Sequence, residues 1–234
     1  MIREQIIRQV KSIILKYAKP ERIYLYGSQA NGEASKNSDI DIAYDDPDFK
    51  EHYRIEEGVN KINTLIKLDV KNIAHTEERF KNRVKSTSRV LYSATKELRA
   101  EDGLYNFSNA LKRLVSVVER KEALIEDGFE DVYLDIVVKR FEFTYEMAWK
   151  ALKRYLEFLG LDALSPRSTF KEAYSQGLLQ DQGVWLDMIE QRNLSSHIYD
   201  ESQIKELLEK VDRYCDAFVQ AENEIQKGLG GQLA

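Results

Sequence analysis

Ile23-Tyr24-Leu25-Tyr26-Gly27-Ser28, followed after ten residues by Asp39-Ile40-Asp41-Ile42, decides how this chain is read. Ile23 and Leu25 alternate with Tyr24 and Tyr26, the period of a pleated, half-buried strand. Gly27 lets the backbone turn and come close to a ligand. Ser28 brings a small hydroxyl and a backbone N–H to a helix start, where phosphates are readily held. In the second stretch Asp39 and Asp41 lie two residues apart and project from one strand face, while Ile40 and Ile42 take the other. Two carboxylates on one face repel each other unless a cation neutralises them. Hard oxygen donors favour Mg2+ or Mn2+, and a divalent cation beside a phosphate-holding turn points to phosphoryl or nucleotidyl transfer.

Gly27-Ser28-Gln29-Ala30-Asn31-Gly32-Glu33-Ala34, then Ser35 through Ser38 and the acidic strand, resembles the minimal nucleotidyltransferases of the polymerase-β-like superfamily. The resemblance implies a small α+β domain that takes ATP as substrate with Mg2+ or Mn2+. It implies that Gly27 and Ser28 bind the terminal phosphates and that Asp39 and Asp41 are catalytic metal ligands. A third carboxylate sits on a later strand in that family. Asp69, in Ile66-Lys67-Leu68-Asp69-Val70, is the candidate here, as third ligand or base.

The flanking pattern fits such a domain. Ile6, Ile7, Val10, Ile13, Ile14 and Tyr17 recur at helical spacing over residues 2–18, and Pro20 ends the helix. Asp45-Asp46-Pro47-Asp48 is a turn before an expected helix over 49–65, followed by a strand over 67–73. A short basic helix with Arg79, Lys81, Arg83 and Lys85 comes next, either a solvated face or a positive rim for a triphosphate. A last strand is expected over 89–92. The order α, β, β, α, β, α, β makes residues 1–95 one α+β domain, with a linker expected over 94–108.

Beyond the linker the period becomes helical throughout, and residues 105–227 read as an all-α up-and-down bundle. One helix carries Leu111, Leu114, Val115, Val118 and Leu124. A long one over 132–159 carries Val137, Phe141, Tyr145, Ala148, Trp149, Leu152 and Leu156, and Gly160 stops it. Ser165-Pro166-Arg167-Ser168-Thr169 caps a short helix. Further helices are expected from Val184 to about His197 and over 201–226, with residues 228–234 a flexible tail. The first hundred residues carry a net charge of +4 and the rest −9, which argues against nonspecific nucleic-acid binding by the second half alone. No apolar run approaches the roughly 20 residues of a membrane span. The single cysteine, Cys215, excludes an internal disulfide, which fits a cytoplasmic protein.

A second polar constellation interrupts the bundle's apolar rhythm: Arg192-Asn193-Leu194-Ser195-Ser196-His197-Ile198-Tyr199-Asp200. A histidine that moves a proton and an arginine that stabilises an anionic phosphorane can cleave RNA without metal. On a regular helix Arg192 and His197 stand about 140° apart, so either the helix breaks at Ser195-Ser196 or the site draws on two chains. A structural Arg–His–Tyr network closing the bundle end is the alternative. Residues 106–226 resemble the HEPN superfamily, in its branch described as nucleotidyltransferase substrate-binding proteins. That resemblance implies a metal-independent ribonuclease site of Arg192 and His197, assembled across a homodimer, with RNA as a candidate partner. It also implies Tyr199 as the acceptor of AMP from a partner nucleotidyltransferase, in the manner of a toxin–antitoxin pair. Here the two halves share one chain, and a tether raises the effective concentration of each at the other to roughly millimolar. The expected activity is AMP transfer from ATP to Tyr199 or to a small hydroxyl acceptor. Alternatives are a ribonuclease regulated by its fused transferase, and a helical half that only dimerises and binds.

Overall fold

The computed structural model describes residues 2–31, 38–195 and 201–230, and the chain divides after Thr95 into two compact units. The first unit is an α+β domain built on a four-stranded sheet. Its strands are β1 (Arg22–Tyr26), β2 (Ile40–Asp45), β3 (Leu68–Asn72) and β4 (Arg89–Ser93), in spatial order β3-β2-β1-β4. β1 pairs antiparallel with β2 and β4, and β2 pairs parallel with β3. The parallel pair needs a crossover, and α3 (His52–Asn60) supplies it.

The period-2 pattern sorts the two faces of the sheet. Ile23, Leu25, Ile40, Ile42, Tyr44 and Val70 pack with Ile6, Ile7, Val10 and Ile14 of α1 (Ile2–Tyr17) and with Ile55 and Val59 of α3. Tyr24 and Ala43 lie on the opposite face with Ile73 and with Val84 of α4 (Glu78–Thr87). Far from Ser28 along these strands, Asp46 and Asn72 form a buried polar plug. Asp46 accepts from the backbone N–H groups of Lys19, Asp48 and Phe49 at 2.7, 3.2 and 3.2 Å. Asn72 Nδ2 donates to the Asp46 carbonyl at 2.7 Å. These bonds hold the Asp45-to-Phe49 turn, so α3 starts at His52 rather than at residue 49. It ends at Asn60, five residues short of the expected end, and the Thr64 hydroxyl accepts from Ile66 N–H at 3.0 Å in the turn that follows.

The second unit is a helical bundle. α5 (Lys96–Val118), α7 (Glu130–Phe158) and α10 (Glu201–Gly230) are its long members; α6 (Lys121–Glu126), α8 (Pro166–Ser175) and α9 (Gln182–Ser195) complete it. Phe218 gathers Phe107, Phe141 and Trp185 around it at 5.9, 6.4 and 5.6 Å between ring centroids. The expected helix reaching Leu124 is two helices, divided between Val118 and Lys121. Ser165 caps α8 in a capping box with Ser168, and Pro166 opens the helix.

Two expectations fail for one reason. Residues 96–108 are helix α5 and not a linker, and α10 runs to Gly230, past the expected start of the tail. Gly103 and Gly228 read as breaks in the sequence, but both are packing positions. A Cβ on Gly103 would stand 3.1 Å from Arg154 Cδ and 3.2 Å from Ala151 Cα, and one on Gly228 would overlap the Tyr155 hydroxyl. No helix among the described residues is long and apolar enough to cross a membrane.

Candidate active site

Gly27 follows β1 with φ +72, a conformation that L side chains rarely adopt. A Cβ there would also overlap the Asp41 carboxylate. Glycine is therefore required twice at this turn, once by backbone geometry and once by the close approach of Asp41. Ser28 opens the four-residue helix α2 (Ser28–Asn31), and Ala30 N–H donates to the Gly27 carbonyl at 3.1 Å. The returning chain is tied down beside the turn. Gln29 Nε2 donates to the carbonyls of Ser38 and Asp39 at 3.5 and 3.4 Å, and Arg3 Nη1 donates to the Ser38 carbonyl at 3.1 Å.

Strand register assembles the rest. Asp41 on β2 stands opposite Tyr26 on β1 and opposite Asp69 on β3. Asp39 lies two residues before Asp41, on the same face. The Tyr26 hydroxyl donates to Asp69 Oδ2 at 3.3 Å, and Lys71 Nζ reaches the same oxygen at 2.7 Å. Lys67 Nζ stands 3.7 Å from Asp39 Oδ2. Burial, then the negative charges of Asp69 and Asp39, push the Asp41 carboxyl above its usual range, with Lys71 and Lys67 opposing. Burial, and then the same anionic neighbourhood, pushes the Tyr26 hydroxyl well up.

The basic helix contributes to this face. Phe80 meets the Tyr26 ring edge-on at 5.7 Å between centroids, and Lys71 and Arg83 stand over Phe80 at 5.7 and 5.2 Å. Lys85 pairs with the buried Asp45 at 3.1 Å. Arg83 and Lys85 therefore have specific partners and are more than a solvated face.

Asp39, Asp41 and Asp69 thus share one face and one electrostatic field. Among the described residues, no three His, Cys, Asp or Glu side chains converge into a closed metal nest. Asp69 Oδ2 is turned toward Lys71 and Tyr26 instead. Mg2+ in nucleotide sites is usually held by one or two carboxylates, with water and substrate phosphates completing the shell. Half-exposed carboxylates gathered on one face, with the Asp41 carboxyl raised by burial and by its two neighbours and with lysine ammonium groups beside them, are a donor set suited to such an ion.

Arg192 lies near the end of α9. Its charge reaches two residues of α7. It opposes the burial that pushes the Tyr145 hydroxyl up to about 12, and it assists Lys150 and Trp149 in holding Glu146 below its usual range against burial. His197 and Tyr199 lie outside the described residues, and so does the segment 32–37 of the Gly-Ser motif.

Tyr26, Gln29, Lys67 and Lys71 belong to the site and were not singled out from the sequence as functional. For the lysines a signal existed: Lys67, Asp69 and Lys71 alternate at period 2, so all three fall on one strand face. Nothing local marks Gln29, whose contact is with a carbonyl ten residues on.

Comparison with known proteins divides the chain in the same way. Residues 8–97 match the family model described as polymerase beta, nucleotidyltransferase. Residues 102–227 match the model described as nucleotidyltransferase substrate binding protein like. A probable ribonuclease HepT of Haemophilus influenzae is 27% identical over 90 residues, which are 36% of this chain and 62% of that protein, so the match spans less than two thirds of the relative's length. A solved structure from Thermus thermophilus is 30% identical, covering 51% of this chain and 98% of that one, with a TM-score of 0.44.

Proposed function

Since this chain belongs to the nucleotidyltransferase substrate binding protein-like family and carries a polymerase-β-type nucleotidyltransferase domain ahead of it, we propose that it transfers AMP from ATP to a hydroxyl acceptor. The observation that carries this reading is the register of Asp41 with Asp69 beside Gly27, whose missing side chain leaves room for the Asp41 carboxylate. Gly27 and Ser28 hold the terminal phosphates through backbone N–H groups and the hydroxyl. Asp39 and Asp41, joined by Asp69 once Lys71 releases it, hold Mg2+ or Mn2+. The ion when bound neutralises phosphate charge and the departing pyrophosphate. Asp69 takes the proton of the acceptor hydroxyl as its oxygen bonds to the α-phosphorus. The bond from that phosphorus to the α–β bridging oxygen breaks, and pyrophosphate leaves with the electron pair. Tyr26 orients Asp69, and Lys71, once it has released Asp69, offers its charge to the phosphates.

The acceptor is Tyr199, in the same chain or a dimer partner, or a small molecule. Incubation with ATP and Mg2+ followed by intact mass measurement tests this, with one adenylyl group per chain expected for Tyr199 and none after Tyr199→Phe. No label on the chain, and none on any hydroxyl compound supplied, would remove the proposal.

Similarity to a protein named as a probable ribonuclease favours a second reading. Here Arg192 and His197 cleave RNA, as a homodimeric toxin-like activity, and the first domain silences them by modifying Tyr199. RNA cleavage that is lost in Arg192→Ala and His197→Ala, and enhanced in Asp39→Ala/Asp41→Ala, is the expected pattern.

A further inference from the structure

The helical unit contains a cavity of about 430 Å³ between α8 and α9. Each helix presents one continuous face to it. Arg167, Phe170, Lys171 and Tyr174 follow the i, i+3, i+4, i+7 rule on α8, and Trp185 and Leu186 lead the facing stripe on α9. The floor is aromatic and pinned from behind. Phe170 and Trp185 stand 4.9 Å apart between centroids, Phe170 is backed by Tyr145 at 5.4 Å, and Trp185 by Phe218 at 5.6 Å. Phe170 and Trp185 are buried, while Tyr174 and Leu186 form an exposed rim.

The charge at this rim is unusual for its surroundings. The half of the chain from residue 101 carries a net −9, yet the cavity lining includes two cations and no carboxylate. Arg167 and Lys171 are four residues apart on one helix, an arrangement in which like charges repel. Among the described residues neither makes an ion pair. A cavity of this volume, mostly apolar with a few convergent polar groups, has the form of a small-molecule site. An anion between the two cations would relieve their repulsion, and a flat ring would cover the aromatic floor.

We propose that the α8–α9 cavity binds a small planar aromatic anion, its ring against Phe170 and Trp185 and its carboxylate or phosphate between Arg167 and Lys171. The site is independent of AMP transfer, and its failure would leave that reading untouched.

Isothermal titration of the full chain with 1-naphthoate, and with the uncharged 1-naphthalenemethanol, tests it. The expected result is saturable one-to-one binding of naphthoate at submillimolar concentration and binding of the alcohol about tenfold weaker. An Arg167→Ala/Lys171→Ala variant with an unchanged circular dichroism spectrum should weaken naphthoate about tenfold and leave the alcohol unaffected. Ser175→Trp, which fills the mouth, should abolish both. The proposal is overturned by absence of saturable binding, by equal affinity for acid and alcohol, or by naphthoate affinity that ignores the double substitution. A groove closed by a second copy of the chain would leave naphthoate unbound while Ser175→Trp shifts sedimentation toward the monomer, and that outcome also overturns it.

Discussion

Asp41 on β2 and Asp69 on β3 occupy opposed positions in the only parallel strand pair among the described residues. Neighbouring strands are about 4.8 Å apart, so two carboxylates on the same face of this pair feel each other directly. With Asp39 added they make a local concentration of negative charge that the domain tolerates through Lys67 and Lys71.

Asp41→Asn should make the first domain more stable at neutral pH while abolishing transfer. The Asp41 carboxyl is raised in the folded state, first by burial and then by Asp69 and Asp39. Between its ordinary and raised values the folded chain binds more protons than the unfolded one, so stability falls as pH rises through that window. Thermal melts with chelator from pH 4 to 7 should show a shallower decline for the variant than for the wild type. A steeper decline would contradict the assignment.

Mg2+ should reverse the same cost. A ligand of the folded state at tenfold excess over its Kd stabilises by about 1.4 kcal/mol. Melts of wild type with Mg2+ and a non-hydrolysable ATP analogue should move upward, and those of Asp39→Asn/Asp41→Asn should not move.

Gly27→Ala should lose transfer and about 1–2 kcal/mol of stability, the cost of a left-handed residue with a side chain. The new Cβ also meets the Asp41 carboxylate. Gly27→Ala/Asp41→Gly relieves that overlap alone. It should recover part of the stability and none of the activity, which separates strain from chemistry in denaturant titrations.

Tyr26→Phe keeps the ring against Phe80 and removes the donor to Asp69 at 3.3 Å. Stability should change by about 0.5–1.5 kcal/mol, the net worth of one hydrogen bond. Transfer should fall less than in Asp69→Asn, because the Asp69 carboxylate that takes the acceptor proton is still present. Equal losses in the two variants would mean that Tyr26 acts on the reaction itself.

In the bundle, Asp187 accepts from the Tyr214 hydroxyl at 2.6 Å and from Lys210 at 2.9 Å, joining α9 to α10. Tyr214→Phe should cost about 1–3 kcal/mol, as expected for a bond to a charged acceptor. The Asp187 carboxyl is held below its usual range because these bonds outweigh burial. Its contribution is therefore present above the unfolded-state value and lost as pH falls through the folded one. Urea titrations at pH 7 and pH 3 should show the Tyr214→Phe difference shrinking at low pH.

The sequence by itself determined the α+β domain, the helical bundle after it, and the placement of Gly27 and Ser28 at the turn and of Asp39 and Asp41 on the stretch that returns beside it. Local spacing suffices there: period 2 places Asp39 and Asp41 on one face, and period 3.6 marks the bundle's core. Only the tertiary structure decided that Asp69 stands opposite Asp41, that Lys71 and Tyr26 share its oxygen, and that Gln29 pins the returning strand. It also decided that Gly103 and Gly228 are contact points within helices, where local reading saw a linker and a tail. The physical reason is the same in each case. Register across a parallel pair, and the distance between two helix backbones, are set by which elements pack together, and that choice is made by the whole buried surface rather than by the few residues on either side of a given position.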